Sequence, residues 1–581
     1  MHPRILCFCF SAVFFLCTSG IVNAQKRSFR LLDSERQTPI AYANVLAVNS
    51  NKGTASDIDG WVRFDDLSDS DTLLISYLGY ERLSLPVKQL SDQVFLKAQS
   101  YELQAVHVLA DDRFLYRLVA DVRKKRKHKV LQSKAYYNLS SYKHNKRVEL
   151  MEAYYNAQIR GYELHQIEYK IGRLGLEEID QGFWVSSETS KAFLFHESFN
   201  SNAYFPASPL EFNFRSMMEE FRLQLLGRYE EKDAILYHLA YEPKNQSSSA
   251  FSGQLWIDST HMELQKASFV LKQSKKHPFL PIGNNYKISS VDISLNKTFS
   301  IVDGQMAPER VDFDYQVHYT NSSGTSDSTR SQAAFFFYNY QQQFNLPLFA
   351  FAEGMHGDYR KIDATPYNDF FWLNHNEFRI WGDEKEQQQF LNQKKRSSID
   401  SLFVQGPKSN GFESPYFKWN KDLRVAYQYK RQNPLMKTGT QSPLGNPSAK
   451  IELGLQLYLD VNQIGDSLHL MSAAILDPYN TYLRIQKDSL TDVLFNLGLD
   501  EAEIARHALI EEIGDERDFG KIKLLHERAQ LELEKRVKFS LYEARFGTDF
   551  EQVEKWNLRV SRNLGVDNLA AFGFKAPNSI P

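Results

Sequence analysis

The 581-residue sequence predicts a multidomain, mainly β protein with a small N-terminal β-sandwich, a large antiparallel sheet and a C-terminal α-helical region. Three observations predict this fold class. Aromatic residues make up 13 % of the chain, and most are Phe and Tyr, which favour strands. Long stretches between residues 134 and 345 alternate apolar and polar side chains, as half-buried strands do. Residues 448–581 instead repeat apolar positions with the period of a helix.

The composition is that of an ordinary globular protein. Hydrophobic residues make up 42 % and charged residues 24 % of the chain, which excludes the disordered, collagen and coiled-coil classes. The formal net charge of −2 removes the global electrostatic argument for nucleic-acid binding. We therefore expect no nucleic-acid partner.

Residues 1–24 have the layout of a cleaved secretory signal. Arg4 supplies a positive charge, residues 5–22 are almost wholly apolar or small, and small side chains precede a cleavage site between Ala24 and Gln25. A retained membrane anchor is the alternative interpretation, because the apolar run is just long enough to span a bilayer. The signal predicts an exported protein, in the periplasm or associated with the outer membrane.

All three cysteines of the chain, Cys7, Cys9 and Cys17, lie within this signal. Lipidation at Cys17 is rejected, because the bulky Leu16 stands where a lipobox needs a small residue. A mature chain without cysteine excludes disulfides, thiol catalysis and cysteine-based zinc sites.

Residues 26–100 contain short alternating runs separated by turn residues, the pattern of a small β-sandwich. Three segments carry a resemblance: residues 38–45 (TPIAYANV), 53–60 (GTASDIDG) and 74–80 (LISYLGY). They resemble the carboxypeptidase-regulatory-like domain found at the N-termini of many gram-negative envelope proteins. The resemblance implies a transthyretin-like sandwich with no catalytic residues of its own.

Within this region, Asp57-x-Asp59-Gly60 resembles part of a calcium-binding loop. Ser68 occupies the position where such a loop needs a bidentate Glu, and Gly60 comes too early in the repeat. We therefore predict a turn here and no metal.

Residues 101–133 form a junction with a short helix at 115–122 and a basic extension. The residues Arg123, Lys124, Lys125, Arg126 and Lys127 could touch anionic lipid headgroups and make a peripheral membrane contact. The alternative, which we favour, is a solvated helix end with basic residues placed well at its C-terminus.

Residues 134–345 predict the large antiparallel sheet with one wet face. The segments 253–258 (GQLWID) and 264–269 (LQKASF) resemble the central strands of the lipoprotein-carrier half-barrel. More closely, they resemble envelope proteins of unknown function that join such a half-barrel-like sheet to the same N-terminal sandwich.

The remaining chain divides into an aromatic, loop-rich region with a linker at 346–447 and a helical domain at 448–581. The aromatic residues are expected to be core or packing residues more often than a binding groove. In the helical domain, Asp500 and Glu503 form a capping pair in our prediction, and Gly565 ends the last helix.

No catalytic, cofactor-binding or metal-binding residue is nominated. His165 and Glu168 match the ligand pair of a zinc carboxypeptidase, and His261 or His277 could be the third ligand. In a strand, however, positions three apart point to opposite faces, and the predicted antiparallel sheet is not the scaffold of that enzyme family. A metallocarboxypeptidase is therefore disfavoured.

Three functions remain open on the sequence alone. The first is an exported, non-enzymatic envelope protein that acts as a binding or scaffold module without a cofactor. The second is a periplasmic lipid or lipoprotein carrier that uses the concave face of the sheet. The third is an undetected glycan or peptide hydrolase, whose two carboxylates need only meet in space.

Overall fold

A computed structural model describes the following residues: 25–40, 43–49, 52–56, 60–77, 80–97, 113–127, 129–176, 189–231, 234–245, 249–280, 287–320, 324–351, 357–375, 416–425, 450–464, 467–484 and 489–574. These residues fall into two compact units, one up to residue 97 and one from residue 113 onward. The predicted signal and its cleavage site at Ala24 lie outside the described residues, as do Asp57 and Asp59 of the predicted turn.

The N-terminal unit is the predicted small sandwich. Its strands form two sheets, in the orders β4-β1-β7 and β3-β2-β5-β6, which enclose a core that includes Phe29, Val45, Val62 and Ile75. Gly60 has φ +82, and a Cβ there would lie 2.5 Å from the Leu31 carbonyl oxygen, so this turn requires glycine. The strands are β1 (Gln25–Asp33), β2 (Asn44–Ala47), β3 (Lys52–Ala55), β4 (Trp61–Leu67), β5 (Thr72–Ser76), β6 (Leu83–Pro86) and β7 (Gln93–Leu96).

Ten of the described strands form one antiparallel sheet in the second unit, which confirms the predicted mainly β fold class. Their order is β10-β9-β8-β17-β16-β15-β14-β13-β12-β11, so β10 and β11 are the edge strands. The bounds are β8 (Val130–Lys143), β9 (Lys146–Arg160), β10 (Glu163–Leu176), β11 (Phe221–Glu231), β12 (Ala234–Pro243), β13 (Ser252–Asp258), β14 (Glu263–Ser274), β15 (Lys287–Val302), β16 (Gln305–Thr320) and β17 (Ser326–Tyr338).

The connection from β10 to β11 leads from one edge of this sheet to the other. Its described part contains α2 (Thr189–Phe195), a 3₁₀ turn at Pro209–Glu211 and α3 (Phe214–Glu220). It packs with α1 (Arg113–Lys125) against one face of the sheet, called here the inner face. Tyr137, Tyr155, Phe313 and Phe335 project from this face. The helix predicted at 115–122 is confirmed by α1.

The chain after β17 follows the edge strand β10. It contains α4 (Asp358–Ala364) and α5 (Asp369–Asn374). Ile362 in α4 packs against Gly172 of β10, where a Cβ would clash with the Ile362 side chain at 2.6 Å. Phe371 and Trp372 in α5 pack instead against Tyr154, which projects from the opposite face of the sheet. These aromatics are core residues, as expected.

The C-terminal region begins with strands that the sequence analysis did not predict. Strands β18 (Phe417–Lys418), β19 (Ile451–Ile464) and β20 (Ser467–Leu483) form a sheet in the order β18-β20-β19. The helices α6 (Ser489–Ile513), α7 (Phe519–Glu543), α8 (Phe550–Leu564) and α9 (Asn568–Ala571) follow. None of the described helices is both long and apolar enough to cross a membrane.

The capping pair predicted at Asp500 and Glu503 is wrong, because both residues lie in the middle of α6. Glu503 instead pairs with Arg506 of the same helix, and Asp500 meets polar groups from neighbouring elements. Asp500 accepts hydrogen bonds from Trp419 Nε1 at 2.6 Å and from Arg424 at 2.9 Å. The end of α8 agrees with the prediction, since Gly565 closes it with φ +69.

Candidate functional site

The candidate site is the inner face of the ten-stranded sheet, because a carrier would hold its ligand there. In the described residues this face is occupied by the protein's own chain. Phe193 of α2 contacts the rings of Phe335 at 5.0 Å and Phe313 at 5.8 Å, and Phe205 lies 6.0 Å from Phe313. Most of the inner face is therefore a packed core.

A small cavity remains between the connection and the sheet. It has a volume of about 10 Å³, which is at the lower limit for one water molecule. A drug-sized ligand needs about 300–1,000 Å³. The lining residues are mainly apolar and aromatic, with two ionisable exceptions: Tyr162, Leu164, Ala192, Phe193, His196, Phe205, Leu295, Lys297, Pro308, Val311 and Phe313.

Lys297 fastens the connection to the sheet at one side of this cavity. Its Nζ donates to Glu163 Oε2 at 2.6 Å, to the His196 carbonyl at 3.0 Å and to Ser198 Oγ at 3.1 Å. Burial, together with the Lys297 charge, holds the pKa of His196 well below its usual value, so this imidazole stays neutral. The cluster joins β15, β10 and the chain after α2.

A second buried cluster, of hydroxyls and carboxylates, fastens α2 and α4 to the same face. Glu149 accepts from Ser141 Oγ at 2.6 Å and from the Tyr359 hydroxyl. Thr189 and Tyr315 share a hydroxyl hydrogen bond of 2.6 Å. Ser190 and Asp358, at the starts of α2 and α4, are also hydrogen-bonded to each other.

Glu149 and Asp358 are the two carboxylates of this cluster, and both are enclosed. Their exposed fractions are 0 % and 3 %, respectively. Burial holds the pKa of Tyr137, Tyr155 and Tyr359 well above the usual tyrosine value, so these hydroxyls remain protonated. Among the described residues, the arrangement holds helices on the sheet and encloses both carboxylates.

The opposite face of the sheet is joined to the C-terminal sheet by a buried ion pair. Lys170 Nζ of β10 contacts Asp460 of β19 and donates to the Asn345 carbonyl at 2.6 Å, and both charged side chains are at most 1 % exposed. Asp460 also accepts from Asn368 at 3.1 Å and Asn462 at 2.9 Å. Burial lowers the pKa of Lys170.

A neighbouring pair reinforces this junction. Arg173 Nε donates to Glu152 Oε2 at 2.5 Å, and the Tyr136 hydroxyl donates to Glu152 Oε1 at 2.6 Å. The Arg173 guanidinium lies 4.2 Å from the centre of the Trp372 ring. The sequence offered no signal for the contact with Trp372, because Arg173 and Trp372 are far apart in the chain.

The residues weighed as zinc ligands do not meet in a common site in the described structure. His165 and Glu168 are both exposed on the edge strand β10. His261 pairs with Asp258 at 2.7 Å, and His277 stacks on Phe279. No group of three His, Cys, Asp or Glu side chains that could hold a metal occurs among the described residues.

The predicted basic contact surface is partly engaged within the protein. Lys127 Nζ donates to the Gly304 carbonyl at 2.5 Å, and Arg126 lies over the Phe199 ring at 5.2 Å. Lys124 pairs with Asp121 at 3.3 Å. Lys124 and Lys125 remain exposed, while the apolar residues of α1 face the core. A membrane contact through Arg123 to Lys127 stays a prediction.

Comparison with known proteins adds the following. Residues 30–108 match the family model of the CarboxypepD_reg-like domain. A search of curated proteins finds no match for this chain.

Solved structures similar to this chain include a LolA superfamily protein from Nitrosomonas europaea, with 12 % identity, 39 % of this chain and 91 % of that chain covered, and a TM-score of 0.16. An outer membrane lipoprotein-sorting protein domain from Vibrio parahaemolyticus has 12 % identity, 41 % and 95 % coverage and a TM-score of 0.19. The Pseudomonas aeruginosa MucA/MucB complex gives 9 % identity, 39 % and 93 % coverage and a TM-score of 0.13.

Such low TM-scores say nothing about what the sheet of this chain binds. The family model thus identifies residues 30–108 of this chain as a carboxypeptidase-regulatory-like domain.

Proposed function

We propose that this chain is an exported, non-enzymatic envelope protein that works as a binding or scaffold module, with the ten-stranded sheet as its rigid frame. One observation carries the proposal: the inner face of the sheet, where a carrier would hold a lipid, is packed with the protein's own aromatic side chains. The cavity between the described connection and the sheet, about 10 Å³, is far too small for an acyl chain.

The buried polar clusters support the same proposal. Opening the inner face would separate Lys297 from Glu163 and Ser190 from Asp358. An unpaired buried charge or hydroxyl costs free energy, on the order of 1–3 kcal/mol for each neutral group and more for a charged one. The closed arrangement is therefore the favoured state of the chain.

Native mass spectrometry of the mature chain, purified from its own envelope before and after organic extraction, tests the scaffold against the carrier. We expect a bare mass in both preparations. A discrete extra mass that organic solvent removes would overturn the scaffold proposal in favour of the carrier. The Phe193→Ala variant serves as a matched control, because its enlarged cavity shows whether the method detects an apolar guest.

Among the described residues, the buried cluster that contains Glu149 and Asp358 is the location at which we test the hydrolase alternative. Incubation of the mature chain with envelope glycan and peptide fractions is expected to release no product. Product release that the Glu149→Gln and Asp358→Asn variants both abolish would contradict the non-enzymatic proposal.

A further inference from the structure

The outward side of α7 carries a line of apolar and basic residues. Leu524, Arg528, Leu531, Lys535, Lys538 and Tyr542 follow one another at intervals of three or four residues, which places them on one side of a helix. The buried residues Ile522, His526, Leu533 and Val537 lie on the other side. The line thus points away from the core of its own domain.

The apolar members of this surface are unusually exposed. Leu524 is 66 % exposed, Leu531 51 % and Phe539, next to the line, 61 %. The line runs for about 27 Å at 1.5 Å per residue. Exposed apolar residues are ordinary when scattered, but a row along one helix marks an interaction surface.

The charges on the line have one sign. The only ionisable groups on it with a full charge at neutral pH are Arg528, Lys535 and Lys538, and the four glutamates of α7 lie beside the line. Arg528 pairs with Glu512, whereas no carboxylate of the described chain forms an ion pair with Lys535 or Lys538. A second copy of this helix would bring like charges together, so the surface is not self-complementary.

We propose that this face of α7 is a contact surface for an anionic membrane. The leucines and Phe539 would enter the boundary between headgroups and acyl chains, and Lys535 and Lys538 would stay at the level of the phosphates, as basic residues of interfacial helices do. The face is a convex helix surface, and a flat bilayer fits it without a groove. This inference rests on the proposed function, because it names the partner that the scaffold would meet in the envelope.

Vesicle co-sedimentation with the full mature chain tests the inference. One set of vesicles contains phosphatidylcholine with phosphatidylglycerol, and the other contains phosphatidylcholine alone. We expect binding to the anionic vesicles, weakened by salt, and little binding to the neutral ones. The double variant Lys535→Glu/Lys538→Glu should weaken binding at least about tenfold, at about 1 kcal/mol for each basic residue near the surface.

The charge control is Lys272→Glu/Lys276→Glu, which makes the same change in net charge at two exposed positions at and just after the end of β14, away from α7. Binding within about twofold of the wild type is expected for it. An equal loss in both double variants would mean that total charge alone drives binding, and would overturn the proposal.

The apolar contribution has its own pair of variants. Leu531→Ser/Phe539→Ser should weaken binding several-fold, while Leu558→Ser, at a 53 % exposed position of α8, should not. Unchanged binding of the α7 variants, or a wild-type chain that binds neither kind of vesicle, would overturn the inference. Neither result concerns the inner face of the sheet, which mass spectrometry tests separately.

Discussion

Lys170 is a single residue on which the stability of the folded chain depends strongly. Its ammonium group and the Asp460 carboxylate are both almost fully buried where the large sheet meets the C-terminal sheet. Removing one member of a buried ion pair leaves the other charge without compensation, which costs about 3–5 kcal/mol.

We therefore expect Lys170→Met to lower the free energy of unfolding by about 3–5 kcal/mol. The double variant Lys170→Met/Asp460→Asn should lose less than the sum of its single variants, because no buried charge is left alone. Chemical denaturation followed by circular dichroism measures both. A single variant within about 1 kcal/mol of the wild type would contradict this account.

Asp314 predicts a pH dependence of stability. Burial and the neighbouring Asp312 raise its pKa to about 7, while Arg330 and Arg310 oppose this shift. Because the folded-state pKa lies above the unfolded value of 3.8, the folded chain binds more protons between these values. Stability contributed by this group is full below about pH 4 and falls as the pH rises towards 7.

Asp314→Asn should flatten this part of the pH profile and stabilise the chain at pH 8, by on the order of 2 kcal/mol. Melting temperatures measured across the pH range check the expectation. Glu211, whose pKa burial raises to about 7, contributes in the same direction, so Glu211→Gln is the matched comparison. A profile that Asp314→Asn leaves unchanged would show that this carboxyl is not the titrating group.

Residue-scale features were the hardest to predict from the sequence. Gly60 and Gly565 could be assigned, because turn and cap positions have local signatures. The Lys170–Asp460 pair could not, since its partners stand 290 positions apart and the local sequence around each residue does not point to the other. The inner-face clusters around Lys297 and Glu149 escaped prediction for the same reason.

At the scale of elements, α2 is the part that decides whether the inner face is open or closed. Phe193→Ala removes a ring that packs on Phe313 and Phe335 and lines the small cavity. We expect a loss of about 3–5 kcal/mol in the free energy of unfolding, together with new binding of a small apolar guest such as xenon. Unfolding curves and xenon-induced chemical shifts measure the two effects. Unchanged stability without guest binding would mean that neighbouring side chains fill the space left by the Phe193 ring.

The start of α6 is the helix boundary that the sequence pattern predicted wrongly. It is buried on most of its circumference, so it lacks the one-sided apolar stripe that identifies a surface helix. The prediction therefore started the helix at Asp500, eleven residues late. In α7, by contrast, Ile522, Leu533 and Val537 form the expected buried stripe, and that helix was predicted well.

The unpredicted strands β19 and β20 have a related explanation. Both strands lie directly before the C-terminal helices, and the predicted boundary of the helical domain at residue 448 therefore included them. What distinguishes these strands from the helices is the pairing of β19 with β20, which runs from Ile451 opposite Leu483 to Ile464 opposite Ser467.

At the scale of the whole molecule, the closed frame predicts a pattern of amide hydrogen exchange. If the connection between the edge strands is part of the core, its amides in α2 should exchange about as slowly as those of β8 and β9. Exchange detected by mass spectrometry on the intact mature chain measures this. Much faster exchange confined to residues 189–212 would indicate that the connection opens, as a carrier requires.

The strand order of the large sheet has a consequence for how the chain reaches this state. Strands β8 to β10 form one series of neighbouring hairpins and β11 to β17 another, and both series pair almost entirely within themselves. The two meet only where β8 pairs with β17, for example at Ser141 and Ser331, 190 residues apart. Local hairpins close quickly, whereas such a distant pairing is slow. Until it forms, β8 and β17 each present an unpaired edge to other chains, so these two strands are where a folding intermediate would aggregate.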